Sequence, residues 1–142
     1  MIEQQQKALG EITQAVMGLL DSWKLDTREI QAVLSLQQTV RARALNNFRA
    51  GSDVLPDDPG VLRRAGYLLR ISDALRTAYP MNPRMSGRWV RQGHRRFGRR
   101  TPLSIILSDG ESGMIAVLAE LDCTFSWDLT GSTATSSRRA DS

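Results

Sequence analysis

RRTPLSIILSDGESGMIAVLAELD, running from Arg99 to Asp122, is the stretch that decides the fold class. Thr101 followed by Pro102 joins a side chain able to cap orphan helix N–H groups to a residue whose fixed φ suits the first helical position. A short apolar helix through Leu103, Ile105, Ile106 and Leu107 is expected to follow. Ser108 and Glu111 stand three apart around Gly110, which is capping-box spacing. Met114, Ile115, Val117, Leu118 and Leu121 then recur at the helical period and line a closing helix.

The same punctuation recurs elsewhere in the chain. Asp58 and Pro59 repeat the cap-plus-proline signal, and Leu62, Ala65, Leu68, Leu69, Leu75 and Tyr79 mark one face of a helix that stops before Pro80. Beyond Pro83, the segment from Arg84 to Gly98 carries a helix around Trp89, weakened by Gly87, Gly93 and Gly98. Near the N-terminus, Ile12, Ala15, Val16, Leu19, Leu20 and Trp23 predict an amphipathic helix over roughly residues 3 to 23. Asp26 and Glu29 form a capping box ahead of Ile30, Val33 and Leu34, and Leu36 fills the next turn. From Gln38, the positions Val40, Ala44, Leu45 and Phe48 predict a third helix ending near Gly51, and residues 51 to 58 form a polar connection. No segment alternates as a strand. The expected class is all-α: a helix-turn-helix-like domain over 1–56, a helical domain over 57–129, and a disordered polar tail over 130–142.

The chain has 142 residues, 41% hydrophobic and 24% charged, which is ordinary globular composition and argues against a fibrous or wholly disordered chain. One cysteine, Cys123, excludes an internal disulfide, and one histidine, His94, leaves no Cys/His set for zinc. His94 is expected at the surface, inside an arginine run that disfavours its protonation. There is no phosphate-binding glycine loop and no apolar run near the roughly 18 to 20 residues of a membrane span. The sequence therefore reads as a cytoplasmic protein that is not an enzyme and takes no cofactor.

A net charge of +4 hides a segregation. Residues 1–50 and 51–80 are close to neutral. Residues 81–108 hold seven arginines (Arg84, Arg88, Arg91, Arg95, Arg96, Arg99, Arg100) and no acid, whereas residues 109–130 hold five acids (Asp109, Glu111, Glu120, Asp122, Asp128) and no base. The arginine block reads either as a solvated face docked on the acidic block or as a contact for nucleic acid or an acidic partner. Trp89 and Phe97 alone interrupt it, so a base-stacking platform is poorly supported.

Residues 27–47 resemble a helix-turn-helix. Gln37, Gln38 and Thr39 open its second helix, and Arg41, Arg43 and Asn46 follow; these are side chains that reach base edges and phosphates. Against the usual spacing, Val40 comes one residue early, Gln31 stands where a small residue is preferred, and Ser35 stands where glycine is preferred. A structural helical hairpin is the competing reading.

The second half carries a further resemblance, over roughly residues 60–127. SDALRTAYP ending at Pro80, then Trp89, then the step Phe97-Gly98-Arg99-Arg100-Thr101-Pro102-Leu103, then Gly110 with Glu111, and finally Leu118, Leu121 and Phe125 follow in order. This pattern resembles the toxin-binding domain of the Xre/MbcA/ParS antitoxin family. The resemblance implies an antitoxin of a type II pair whose partner is a RES-domain toxin that consumes NAD. It implies that Trp89, Glu120, Leu121, Asp122, Phe125, Trp127 and Asp128 contribute to toxin binding, with the C-terminal end occluding the toxin's active site. It also implies operator binding, autorepression and a homo-oligomer. The alternative is a stand-alone helix-turn-helix regulator without a toxin partner.

Overall fold

A computed structural model of the chain describes the backbone of residues 2–36 and 40–130, and the side chains of residues 3–36 and 40–122. Its helices are α1 (Ile2–Ser22), α2 (Thr27–Leu34), α3 (Ala44–Ala50), α4 (Pro59–Ala78), α5 (Met85–Val90), α6 (Pro102–Asp109) and α7 (Glu111–Thr130), with a 3-10 turn at Arg95–Phe97 between α5 and α6. There is no strand among the described residues, and the fold is all-α. No described helix is long and apolar enough to cross a membrane. Apart from Thr130, which ends α7, the expected polar tail lies outside the described residues.

Three of the four helix starts expected from caps form as their chemistry requires. Asp26 accepts the Glu29 amide at 2.8 Å while Glu29 accepts the Asp26 amide at 2.9 Å, closing a reciprocal box at the head of α2. Asp58 accepts from the amides of Gly60 and Val61, with Pro59 first in α4. Thr101 accepts the Ser104 amide at 3.0 Å, with Pro102 first in α6. Each such cap stabilises its helix by about 1 kcal/mol.

The fourth, from Ser108 to Glu111, does not form. Ser108 belongs to the last turn of α6, where its hydroxyl accepts from Arg100 at 2.6 Å and donates to Asp109 at 3.2 Å. Glu111 instead takes the Arg63 guanidinium at 2.8 Å. The turn between α6 and α7 is made by Gly110 at φ +63° and ψ −130°, a conformation available only to glycine, and an added Cβ would meet the Arg64 guanidinium at 3.0 Å.

One buried cluster runs from Val16 to Leu121. α7 packs chiefly on α4 and α6, α1 lies against α3 and α4, and α2 reaches both α4 and α6. Residues on either side of the domain boundary expected at 56 therefore share one core. Within it the helical period locates most faces, with local exceptions. Ala15 and Tyr79, expected on apolar faces, are exposed, as is Ile115, while Ile71 is fully buried. The connection after α3, polar in sequence, buries Leu55, whose amide donates to the buried hydroxyl of Thr13 at 3.0 Å. Thr13 passes its own proton to the Leu9 carbonyl at 2.7 Å, so one hydroxyl satisfies the buried Leu55 amide and fastens this connection to α1.

The helix expected to open at Gln38 begins at Ala44. Gln31 donates from Nε2 to the Val40 carbonyl at 3.1 Å, and the Ala44 amide turns to the Arg41 carbonyl at 3.0 Å. The carbonyl that would start an earlier α-helical ladder is thus taken by a side chain of α2. A small residue at position 31 has no such reach.

Candidate functional site

Two surfaces follow from the sequence, and the fold treats them differently. Around α3, Gln37, Gln38 and Thr39 lie outside the described residues. Arg41 and Arg43 are exposed, but they precede α3 instead of lying on it, and they flank a shallow hollow of about 300 Å³ shared with Asp53 and Pro56. The described residues just ahead of α3, Val40 to Arg43, are not helical. Asn46 is exposed, yet its side-chain Oδ1 accepts from Arg49 at 2.9 Å. Arg49 also forks onto both oxygens of Asp21 at 2.9 Å, and this hydrogen-bonded pairing holds its guanidinium above the ordinary arginine range. Asn46 and Arg49 are therefore drawn toward α1.

At the other surface, the residues named for toxin binding divide by burial. Trp89 is 8% exposed and Leu121 6%. Both are buried in the core. Trp89 forms a small aromatic cluster, with the His94 ring 4.7 Å away and the Phe97 ring 6.4 Å away, edge-on. His94 shares a hydrogen bond of 3.0 Å between Nε2 and the Trp89 carbonyl. The histidine expected at the surface is half-buried and packed on the tryptophan, because the 3-10 turn folds the chain back over α5.

Glu120 lies 3.0 Å from the Arg96 guanidinium. Asp122 is exposed. The backbone of α7 continues to Thr130, about 12 Å past Asp122 at 1.5 Å per residue. It carries Phe125, Trp127 and Asp128, whose side chains lie outside those described.

The adjacent charge blocks neutralise one another only in part. Arg96 meets Glu120, Arg100 approaches Asp109 at 3.9 Å, and Glu111 pairs with Arg63 of α4, whose hydrogen bond holds the glutamate below its usual range. Arg84, Arg88, Arg95 and Arg99 have no carboxylate at ion-pair distance among the described residues. The solvated-face reading thus accounts for Arg96 and Arg100, and leaves Arg84, Arg88, Arg95 and Arg99 without a carboxylate at ion-pair distance among the described residues. Also among the described residues, no group of three or more His, Cys, Asp or Glu side chains is arranged to hold a metal ion.

No family model matches the chain, and neither a curated protein nor a solved structure matches it.

Proposed function

We propose that the chain is an antitoxin that neutralises a RES-domain, NAD-consuming toxin by placing the end of α7 in the toxin's active-site cleft. The observation that carries this reading is the continuation of α7 past its last described buried residue, Leu121, into a segment holding Asp122, Phe125, Trp127 and Asp128. A cleft that accepts a dinucleotide needs cations for its phosphates, so carboxylates on an entering helix take the place of substrate charge, and aromatic residues exclude water around them. Support also comes from the joints of the resembling segment. Pro80 follows α4, Pro102 opens α6, and Gly110 makes the positive-φ turn into α7. Trp89 and Leu121 act in this reading by fixing α7 and its neighbours.

Co-expression with a RES-domain toxin tests it. Wild type restores growth and co-purifies with the toxin, and the combined variant Phe125→Ala/Trp127→Ala/Asp128→Ala does neither. Rescue by the triple variant equal to wild type refutes the cleft mechanism.

Operator binding and autorepression belong to the same proposal. Exposed Arg41 and Arg43 are their best-placed carriers. Arg41→Ala/Arg43→Ala is expected to abolish a promoter gel shift while toxin co-purification survives.

A further inference from the structure

Between the C-terminal end of α1 and α5 lies an open trough of about 820 Å³. Its walls include Lys24, Arg84, Arg88 and Arg91, and no carboxylate lines it. Arg91 has a structural task. Its Nε and Nη2 donate to the Trp23 carbonyl at 3.0 and 2.7 Å, and Nη2 also reaches the Lys24 carbonyl at 3.1 Å, satisfying carbonyls at the end of α1. Lys24, Arg84 and Arg88 have no such task. All three are exposed, and none has a carboxylate at ion-pair distance among the described residues.

We propose that this trough is a phosphate-binding site whose ligand is the backbone of duplex DNA. Guanidinium groups match phosphate by paired hydrogen bonds, and clustered cations without acids concentrate a polyanion. A duplex fits better than a single strand because the trough offers no stacking face. Its one aromatic, Trp23, is fully buried, with Nε1 donating to Ser86 at 2.8 Å. The trough is also open, and the chain beyond it adds Arg95 and Arg99, exposed and without a carboxylate at ion-pair distance among the described residues. Such contacts hold DNA without reading its sequence, so the site is distinct from any base-reading segment near α3 and does not depend on the toxin partner.

The test is fluorescence anisotropy of the full chain with unrelated duplexes from about 50 to about 200 mM salt. The variant is Lys24→Gly/Arg84→Ala/Arg88→Ala, and Arg70→Ala on α4 is the control. Three lost phosphate contacts flatten the slope of log affinity against log salt by about 2.7. Across that salt range wild type therefore weakens about 40-fold more than the variant, while the control follows wild type. An unchanged slope in a triple variant of native circular dichroism overturns the proposal, as does failure of wild type to bind any duplex. Inorganic pyrophosphate forms a second arm. A thermal shift with pyrophosphate in wild type only, without DNA binding, assigns the trough to a small phosphorylated ligand and overturns the duplex assignment.

Discussion

Replacing glycine by alanine at three helical positions gives opposite signs for one chemical change. Gly18 in α1 and Gly66 in α4 have nothing within 4 Å of an added Cβ, so the methyl group supplies only helix propensity and Gly18→Ala and Gly66→Ala each stabilise by about 0.5–1 kcal/mol. Gly113 lies where α7 crosses α6. A Cβ there collides with the Ile105 carbonyl oxygen, stands 3.0 Å from the Ile105 carbonyl carbon and 3.1 Å from Asp109 Cβ. Backbone and Cβ atoms cannot swing aside as a side-chain tip can, so α6 and α7 must separate by about 1 Å to restore ordinary contact. Overpacking of this kind costs about 3 kcal/mol, which exceeds the propensity gain of about 1 and leaves a net loss near 2. At about 3 °C per kcal/mol, Gly113→Ala lowers Tm by about 6 °C, while the other two raise it by about 2–3 °C each. Thermal melts by circular dichroism measure all three. A Gly113→Ala protein melting at or above wild type would refute the close approach of α6 and α7.

Ser35 ends α2 at φ +61°, its own amide reaching the Ala32 carbonyl and that of Leu36 the Gln31 carbonyl, a geometry glycine adopts without penalty. Ser35→Gly therefore stabilises by about 1 kcal/mol, and a lower denaturant midpoint would contradict this. Thr13→Val keeps the shape and strips both hydrogen bonds, leaving the Leu55 amide buried and unpaired; the expected loss is about 1–3 kcal/mol in urea unfolding, and an unchanged midpoint counts against the tether. Because the Arg63 hydrogen bond lowers the folded-state pKa of Glu111, its contribution is fully present above the ordinary value of 4.5 and vanishes as pH falls through the folded value. In Arg63→Gln the Glu111 titration followed by NMR moves up toward 4.5, and an unmoved midpoint would disprove the pairing.

The parts of this fold legible in the sequence are those decided within a few residues. Asp26 with Glu29, Asp58 with Pro59, and Thr101 with Pro102 announce helix starts because cap and amide are near neighbours in the chain. The misread positions depend on distant partners. Ser108 looks like a cap until Arg100, eight residues earlier, engages it, Glu111 is claimed by Arg63, and the start of α3 is moved by Gln31, which holds the Val40 carbonyl nine residues on. Burial of Trp89 reflects how α5 and the 3-10 turn meet, which helical period alone does not reveal, whereas Leu121 keeps the apolar face that its spacing predicts. The seven arginines of residues 81–108 could be counted from the sequence, but which of them pair with carboxylates and which line the trough depends on how α5 and its neighbours pack.

That docking joins residues far apart in the chain: the Trp23–Ser86 bond spans 63 positions and the Arg91–Trp23 bonds span 68. A helix as short as α5 has almost no stability of its own, so it persists through its packing on α4 and α6 together with the closure of this long loop onto the end of α1. The end of α1 and the whole of α5 consequently form a single cooperative opening unit. In hydrogen exchange, amides of α5 and the turn at 23–25 are expected to share one opening free energy below that of the α4 and α7 core. Release of this latch dismantles the cationic trough while most of the protein remains folded.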